Sequence, residues 1–429
     1  MKTLQDSGNS NGAVLVTWQE AREGSEETCA SSVAEAAIGS PATGFIDTGP
    51  ISKPGALARP TGVFIDDAGD GWIVGTRETF TGFIRYGPTY RDSGAWLAFR
   101  PAGGVFRAAV ALAASSANVE PFLVGDGAGT VLVGWNVLGR GAYLQWGDPS
   151  GRLSAPQFFK GLSVSSLGID DQGAALIAGQ QTARAKRPVD LLISGRAGRF
   201  SRPRLLARAP RTPPRQETPA TLSPPTVRVG PAGQALVMWQ LNPDPGPHEE
   251  ERMLAYRSPT GKLGKPIRYP YYQLPEAENP GELRLAALDG NGRAAFLVDE
   301  DFRAYLTTLT ADGRIDQLRE PLTPGKDLSL GVASVAANAA GEFVVAWTRG
   351  GSIEYTLGTE PTALPVAQAI STPPGATDLG ALVTISQTGE ATAVWPRLFS
   401  LTPREEAIEA QTLAPGATPV QIAFHKPLH

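Results

Sequence analysis

Short apolar runs recur along this chain, each led by a glycine and most of them closed by a tryptophan. Gly12-Ala-Val-Leu-Val-Thr-Trp18 returns as Gly129-Thr-Val-Leu-Val-Gly-Trp135 and Gly233-Gln-Ala-Leu-Val-Met-Trp239. It returns again as Gly341-Glu-Phe-Val-Val-Ala-Trp347 and Gly389-Glu-Ala-Thr-Ala-Val-Trp395. Copies at Gly69, Gly173 and Gly292 keep the glycine and the apolar run without the tryptophan. Five of the eight tryptophans hold one motif position, which composition alone would rarely produce. The anchor glycines lie 44 to 60 residues apart, the size of a four-stranded unit with its loops.

The residues before each glycine read as a strand too, as in Val227-Arg-Val229 and Val332-Ala-Ser-Val335. Between the two strands lie turn formers such as Asp66-Asp67-Ala68-Gly69 and Asp289-Gly290-Asn291-Gly292. Asp, Asn and Gly tolerate the positive φ that tight hairpins need, so each anchor predicts a hairpin. The strand after the glycine is apolar on both faces, which predicts an inner strand between packed sheets. The tryptophan then supplies contact area between neighbouring units. A second, more polar hairpin follows, marked by Gly151-Arg-Leu-Ser-Ala-Pro156, Gly198-Arg-Phe-Ser-Arg-Pro203 and Gly261-Lys-Leu-Gly-Lys-Pro266. Two hairpins make a four-stranded antiparallel blade.

Here the chain resembles the bacterial β-propeller repeats that carry a Gly-x-x-x-Val-x-Trp strand followed by a Gly-x-Phe/Leu/Trp-x-x-Pro hairpin. Residues 60 to 75 are also similar to an NHL-type repeat. The resemblance spans nearly the whole chain and implies an all-β fold, a single β-propeller of eight blades. Seven is the alternative if the Gly173 copy is not an independent blade. It says little of function, because propellers host many activities.

The expected organisation is one domain over residues 1–429, with a long Pro-rich loop at 209–225 between the fourth and fifth repeats. The last repeat looks complete, because Ala407 to Phe424 matches the outer hairpin at Ser352 to Ile370. The first repeat has only Lys2 to Gln5 ahead of its hairpin. Either that segment serves as a strand, or the end of the chain pairs there to close the ring. Closure is expected because open sheet edges invite aggregation.

Composition narrows the function. The chain has 41% apolar and 19% charged residues, with a net charge of −4, so no basic footprint points to nucleic acid. Cys29 is the only cysteine, which excludes an intrachain disulfide and a cysteine zinc cage. Only three histidines are present, so a Ser-His-Asp triad is not expected. No leader is recognisable at Met1 to Gly8, and no apolar run is long enough to span a membrane as a helix.

The pairs Asp66/Asp67 and Asp170/Asp171 read as turn formers rather than paired catalytic acids. The spacing of Asp66, Asp67 and Asp70 is not that of an EF-hand loop. Asp299-Glu300-Asp301 follows the sixth apolar strand directly. Polar residues occupy the same place in other repeats, and equivalent loops of a propeller emerge on one face. Arg77, Asn136, Gln180, Gln240, Asp299, Asp301, Arg349 and Arg397 are therefore expected to ring a mouth of the central channel. No catalytic residue, metal or cofactor is assigned. The expected function is non-catalytic recognition of a glycan or protein partner through that mouth, in an extracellular or periplasmic setting. A glycan-cleaving propeller with channel-facing carboxylates and a structural module of a surface assembly are the alternatives.

Overall fold

The computed structural model describes residues 2–23, 31–51, 57–84, 87–114, 119, 121–181, 189–196, 198–209, 221–242, 251–269, 282–300, 303–321, 333–359, 365, 367–370, 376–401, 404–414 and 416–425. Among them every regular element is a strand, and the strands form eight four-stranded antiparallel blades. Blade 1 holds β1 (Lys2–Gly8), β2 (Val14–Glu23), β3 (Ser31–Ser40) and β4 (Gly44–Pro50). Blade 2 holds β5 (Leu57–Ile65), β6 (Gly71–Ile84), β7 (Gly87–Arg100) and β8 (Val110–Ala114). Blade 3 holds β9 (Pro121–Gly125), β10 (Val131–Val137), β11 (Gly141–Gly147) and β12 (Gln157–Lys160). Blade 4 holds β13 (Leu162–Ile169), β14 (Ala174–Gln181), β15 (Val189–Arg196) and an outer edge split into β16 (Arg199–Phe200) and β17 (Arg204–Arg208).

Blade 5 starts with a split inner edge, β18 (Thr221–Leu222) and β19 (Thr226–Val229), then β20 (Ala235–Asn242), β21 (Glu251–Arg257) and β22 (Ile267–Tyr269). Blade 6 holds β23 (Glu282–Leu288), β24 (Ala294–Glu300), β25 (Arg303–Leu309) and β26 (Ile315–Pro321). Blade 7 holds β27 (Ser334–Ala337), β28 (Phe343–Arg349), β29 (Ser352–Gly358) and β30 (Gln368–Ala369). Blade 8 holds β31 (Thr377–Asp378) and β32 (Leu382–Ile385) as its inner edge, then β33 (Ala391–Leu401), β34 (Arg404–Thr412) and β35 (Val420–His425). One parallel bridge, Ser32 to Leu57, ties blade 1 to blade 2.

The strand before each anchor glycine packs against its counterpart in the next blade all the way round, from β1 to β5 and finally from β32 back to β1. These strands surround the axis. The chain is thus an eight-bladed propeller, and the Gly173 copy is a blade in its own right. The glycine-anchored strand is second in its blade, paired on both sides, as β10 is with β9 and β11. The sequence reading had made it the inner strand. Two-sided burial arises equally one place outward, because each sheet is covered by a neighbour on both faces.

Closure follows the first of the two expected routes. Lys2 to Gly8 pairs with β2 as a full inner strand, while β35 pairs with β34 of its own blade. Among the described residues no strand is exchanged between the first and last blades. Blade 8 meets blade 1 through Val394, Ile408 and Ala410 against Val14, Val16 and Trp18. The segment 210–220 of the Pro-rich loop lies outside the described residues.

The core is a ring of interblade layers. Trp18, Trp135, Trp239, Trp347 and Trp395 are all buried in them. Burying one such side chain removes about 150–250 Å² from water, on the order of 4–6 kcal/mol before entropy is counted. Blade 2 has Gly75 where five other blades place tryptophan. Trp96, opposite Gly75 on β7, fills the gap, and its Nε1 donates to the Thr76 carbonyl at 3.1 Å. A Cβ on Gly75 would overlap that indole, so the two residues are one unit split across two strands.

Candidate functional site at the axial mouth

The hairpins between first and second strands share one construction. The residue three before the anchor glycine is Asn9, Asp66, Asp126, Asp170, Asp289, Asn338 or Ser386, with Gly230 in blade 5. Its side-chain oxygen accepts the amide at the start of the second strand. Asp66 Oδ1 takes the Asp70 amide at 2.7 Å, Asp126 Oδ1 that of Thr130 at 2.8 Å, and Asn338 Oδ1 that of Glu342 at 3.0 Å. The anchor glycines hold φ between +70° and +96°, the region that costs other residues most. All but Gly69 also lie against the preceding blade: a Cβ on Gly233 would sit 2.7 Å from Asp170 Oδ2.

The next residue of each turn points to the axis. These residues are joined into a belt. The Ser10 amide donates to Asp67 Oδ1 at 3.0 Å and the Asp67 amide to the Gly127 carbonyl at 3.1 Å. Asp171 donates to the Pro231 carbonyl at 3.2 Å, and Gly290 to Asn338 at 3.3 Å. The Ala339 amide reaches Gln387 Oε1 at 3.2 Å, and the Gln387 amide donates to the Ser10 carbonyl at 3.1 Å. Proline has no amide to give at 231, and there the Gln234 side chain bridges to the Asp289 carbonyl instead. Every neighbouring pair of blades but the third and fourth is thus linked by one of these bonds.

The belt surrounds a cavity of about 480 Å³ on the axis. Ser10, Asp67, Asp171 and Gln387 line it beside the apolar Phe64 and Ile385, so seven of the eight blades contribute. Its lining includes two carboxylates and no Lys or Arg. Partial desolvation raises the pKa of Asp171, and the negative charges of Asp170, Asp67 and Asp126 add to the effect. Burial likewise raises Asp66 and Asp126, with their turn hydrogen bonds opposing. The mouth is a concentrated negative field with hydrogen-bond acceptors and a small apolar wall.

The described residues among those expected to ring a mouth lie on the second strands, beyond the turn face. Two of them, Asn136 and Gln180, knit blades together. Asn136 Nδ2 donates to the Val164 carbonyl at 2.7 Å and its Oδ1 accepts the Val164 amide at 2.8 Å, a two-way clamp onto blade 4. Gln180 is buried and donates to Asp190 Oδ1 at 3.1 Å and to the Leu222 carbonyl of blade 5 at 2.9 Å. Arg397 is buried, with Nε 2.6 Å from Asp378 Oδ1 and Nη1 2.6 Å from Glu409 Oε2. Arg349 pairs with Glu354 at 3.5 Å. Arg77 is exposed in the middle of β6, and Gln240 is half-buried. Asp299 belongs to β24, but its side chain and all of Asp301 lie outside the described residues.

Of the carboxylate pairs, Asp66 and Asp170 are turn formers, as expected. Their neighbours Asp67 and Asp171 face the cavity. The signal for this was present in the repeat. The position three before the glycine keeps one chemistry through nearly all blades, whereas the position two before it runs Ser10, Asp67, Gly127, Asp171, Pro231, Gly290, Ala339, Gln387. Among the described residues no three His, Cys, Asp or Glu side chains are grouped so as to hold a metal ion.

No family model and no curated protein matches the chain. Solved structures do. A prolyl endopeptidase aligns with a TM-score of 0.52 at 12% identity, covering 87% of this chain and 50% of its own. The Dos1 propeller aligns with a TM-score of 0.51 at 8% identity, covering 91% and 88%. This chain therefore spans about half the length of the endopeptidase. At such identity the likeness is one of fold.

Proposed function

We propose that this protein is a non-catalytic binding propeller that takes a glycan end at the axial mouth. The observation that carries the reading is the single cavity to which seven blades bring chemically different residues. Such a lining suits an asymmetric ligand. Sugars present hydroxyl donors on one edge and C–H surface on another, matching Asp67, Asp171 and Gln387 beside Phe64 and Ile385. A glycan array with the intact protein tests the reading. Binding that falls tenfold or more in Asp67→Asn supports it, and no glycan retained, or binding indifferent to both Asp67→Asn and Asp171→Asn, sinks it. An extracellular or periplasmic location accompanies this reading, and cell fractionation checks it.

One observation favours a second reading, glycan cleavage. Asp67 and Asp171 share a mouth, and partial desolvation and neighbouring carboxylates raise the Asp171 pKa, as suits a general acid. Release of new reducing ends from a retained glycan, abolished by Asp171→Asn, would make the protein an enzyme.

A further inference from the structure

Blades 1 and 8 are not consecutive in sequence, and their seam is held by packing and by the Gln387 amide on the Ser10 carbonyl. Within it sits Asp6, six residues before its anchor glycine. The equivalent position is apolar in all seven other blades, as in Val63, Leu123, Val227 and Val383. The registers agree: Asp6 pairs with Val16 as Val63 does with Ile73 and Leu123 with Val133.

Asp6 faces blade 8. Its strand neighbours on that face are Leu4 and Gly8, opposite Trp18 and Val14, and this surface packs on Val394, Ile408 and Ala410. At Gly8 a Cβ would lie 2.7 Å from that of Thr384, so β1 and β32 approach closely there. Asp6 as a residue is half-buried, but its Oδ2 is shut off from solvent and has no hydrogen-bond partner among the described residues.

Charged groups stand on most of the elements packed against it. β2 carries Glu20, Arg22 and Glu23, β3 carries Glu35, β5 carries Arg59, and β33 carries Arg397, which is held by Asp378 and Glu409. β34 carries Arg404, Glu405, Glu406 and Glu409, and Glu35 and Glu406 are buried. β32 has none. None of these sets the carboxyl's affinity for its proton. Burial raises its pKa to about 7, against the lowering effect of a hydrogen bond from its own amide.

We propose that Asp6 makes the seam between the first and last blades a proton-gated opening of the ring. With the proton on, the side chain is neutral and the seam closes like the other seven. Ionisation leaves an unpaired charge in an apolar layer, and the seam loosens. The group is protonated in the closed seam up to about pH 7 but, once exposed, only below about pH 4, so closure is fully favoured in acid and weakened as pH rises to 7. The seam also divides the cavity: Gly8, Asn9 and Ser10 line it from blade 1, Ile385 and Gln387 from blade 8. Where the mouth is the ligand site, opening disassembles it.

Hydrogen exchange tests this without a ligand. Rates are read at pH 5 and pH 8, normalised for intrinsic exchange, in peptides covering β1 and β32 and in reference peptides from β9 and β13. The wild-type seam should open up to about 100-fold more often at pH 8, following from the shift in Asp6 alone, while the reference stays level. Asp6→Val and Asp6→Asn should each abolish the difference, so one suffices if the other does not fold. Equal seam protection at both pH values, the same pH response in the variants, or an equal response in the reference peptides would overturn the proposal.

Discussion

The two faces of this ring are built from the same repeat and do different things with it. On the turn face, one position per hairpin closes the turn and the next is released toward the axis. On the far face, polar residues are drawn into the sheets, Asn136 and Gln180 between blades and Arg397 within blade 8. Asn136, Gln180 and Arg397 spend their hydrogen-bonding groups on neighbouring strands. The difference is geometric. A strand residue points at one or other neighbouring sheet, whereas a residue at the tip of an inner hairpin points along the axis. Polar character alone does not distinguish the two, and position within the hairpin does.

Substitutions sharpen the contrast. The largest effect is expected at Arg397, whose removal leaves Asp378 and Glu409 buried without their cation. Arg397→Leu should cost about 3–5 kcal/mol in urea unfolding. A loss below 1 kcal/mol would mean that the far face is not a structural clamp. Gly233→Ala on the turn face forces a positive φ and meets Asp170, and should cost about 2–3 kcal/mol. Asn136→Ala should cost about 1–2 kcal/mol by removing both arms of its clamp.

Much of this was written in the sequence. The anchor glycines and five tryptophans gave eight blades because turn geometry and interblade packing leave few residue choices. The inner strand was misplaced by one because burial on both faces does not distinguish the first strand from the second. Trp96 was not seen as the missing tryptophan of blade 2, since its partner Gly75 is 21 residues away and related only by register. The axial residues escaped notice because Asp66 and Asp67 read as one turn-forming pair. Only the belt of amides separates their roles.

Acidity offers a further, smaller test. Asp190 is buried on the far face, with burial raising its pKa to about 7 against a hydrogen bond from Gln180. A raised carboxyl favours the fold in acid and loses that advantage as pH climbs from about 4 to 7. Wild-type unfolding should therefore need less denaturant at pH 8 than at pH 5. Asp190→Asn should narrow the gap, and an unchanged gap would remove Asp190 as its source. The least change in stability is expected at the turn tips. Asp67→Asn and Asp171→Asn should move it by no more than about 0.5 kcal/mol, as exposed positions do.

The most direct test of the central claim is calorimetric titration of an array-selected glycan into three proteins. These are the wild type, the Asp67→Asn/Asp171→Asn double variant and the Arg77→Ala/Arg349→Ala double variant. A site at the turn-face mouth predicts at least a tenfold loss of affinity in the first pair and less than a twofold change in the second. Unchanged affinity in the first pair with loss in the second would put recognition on the opposite face and contradict the account.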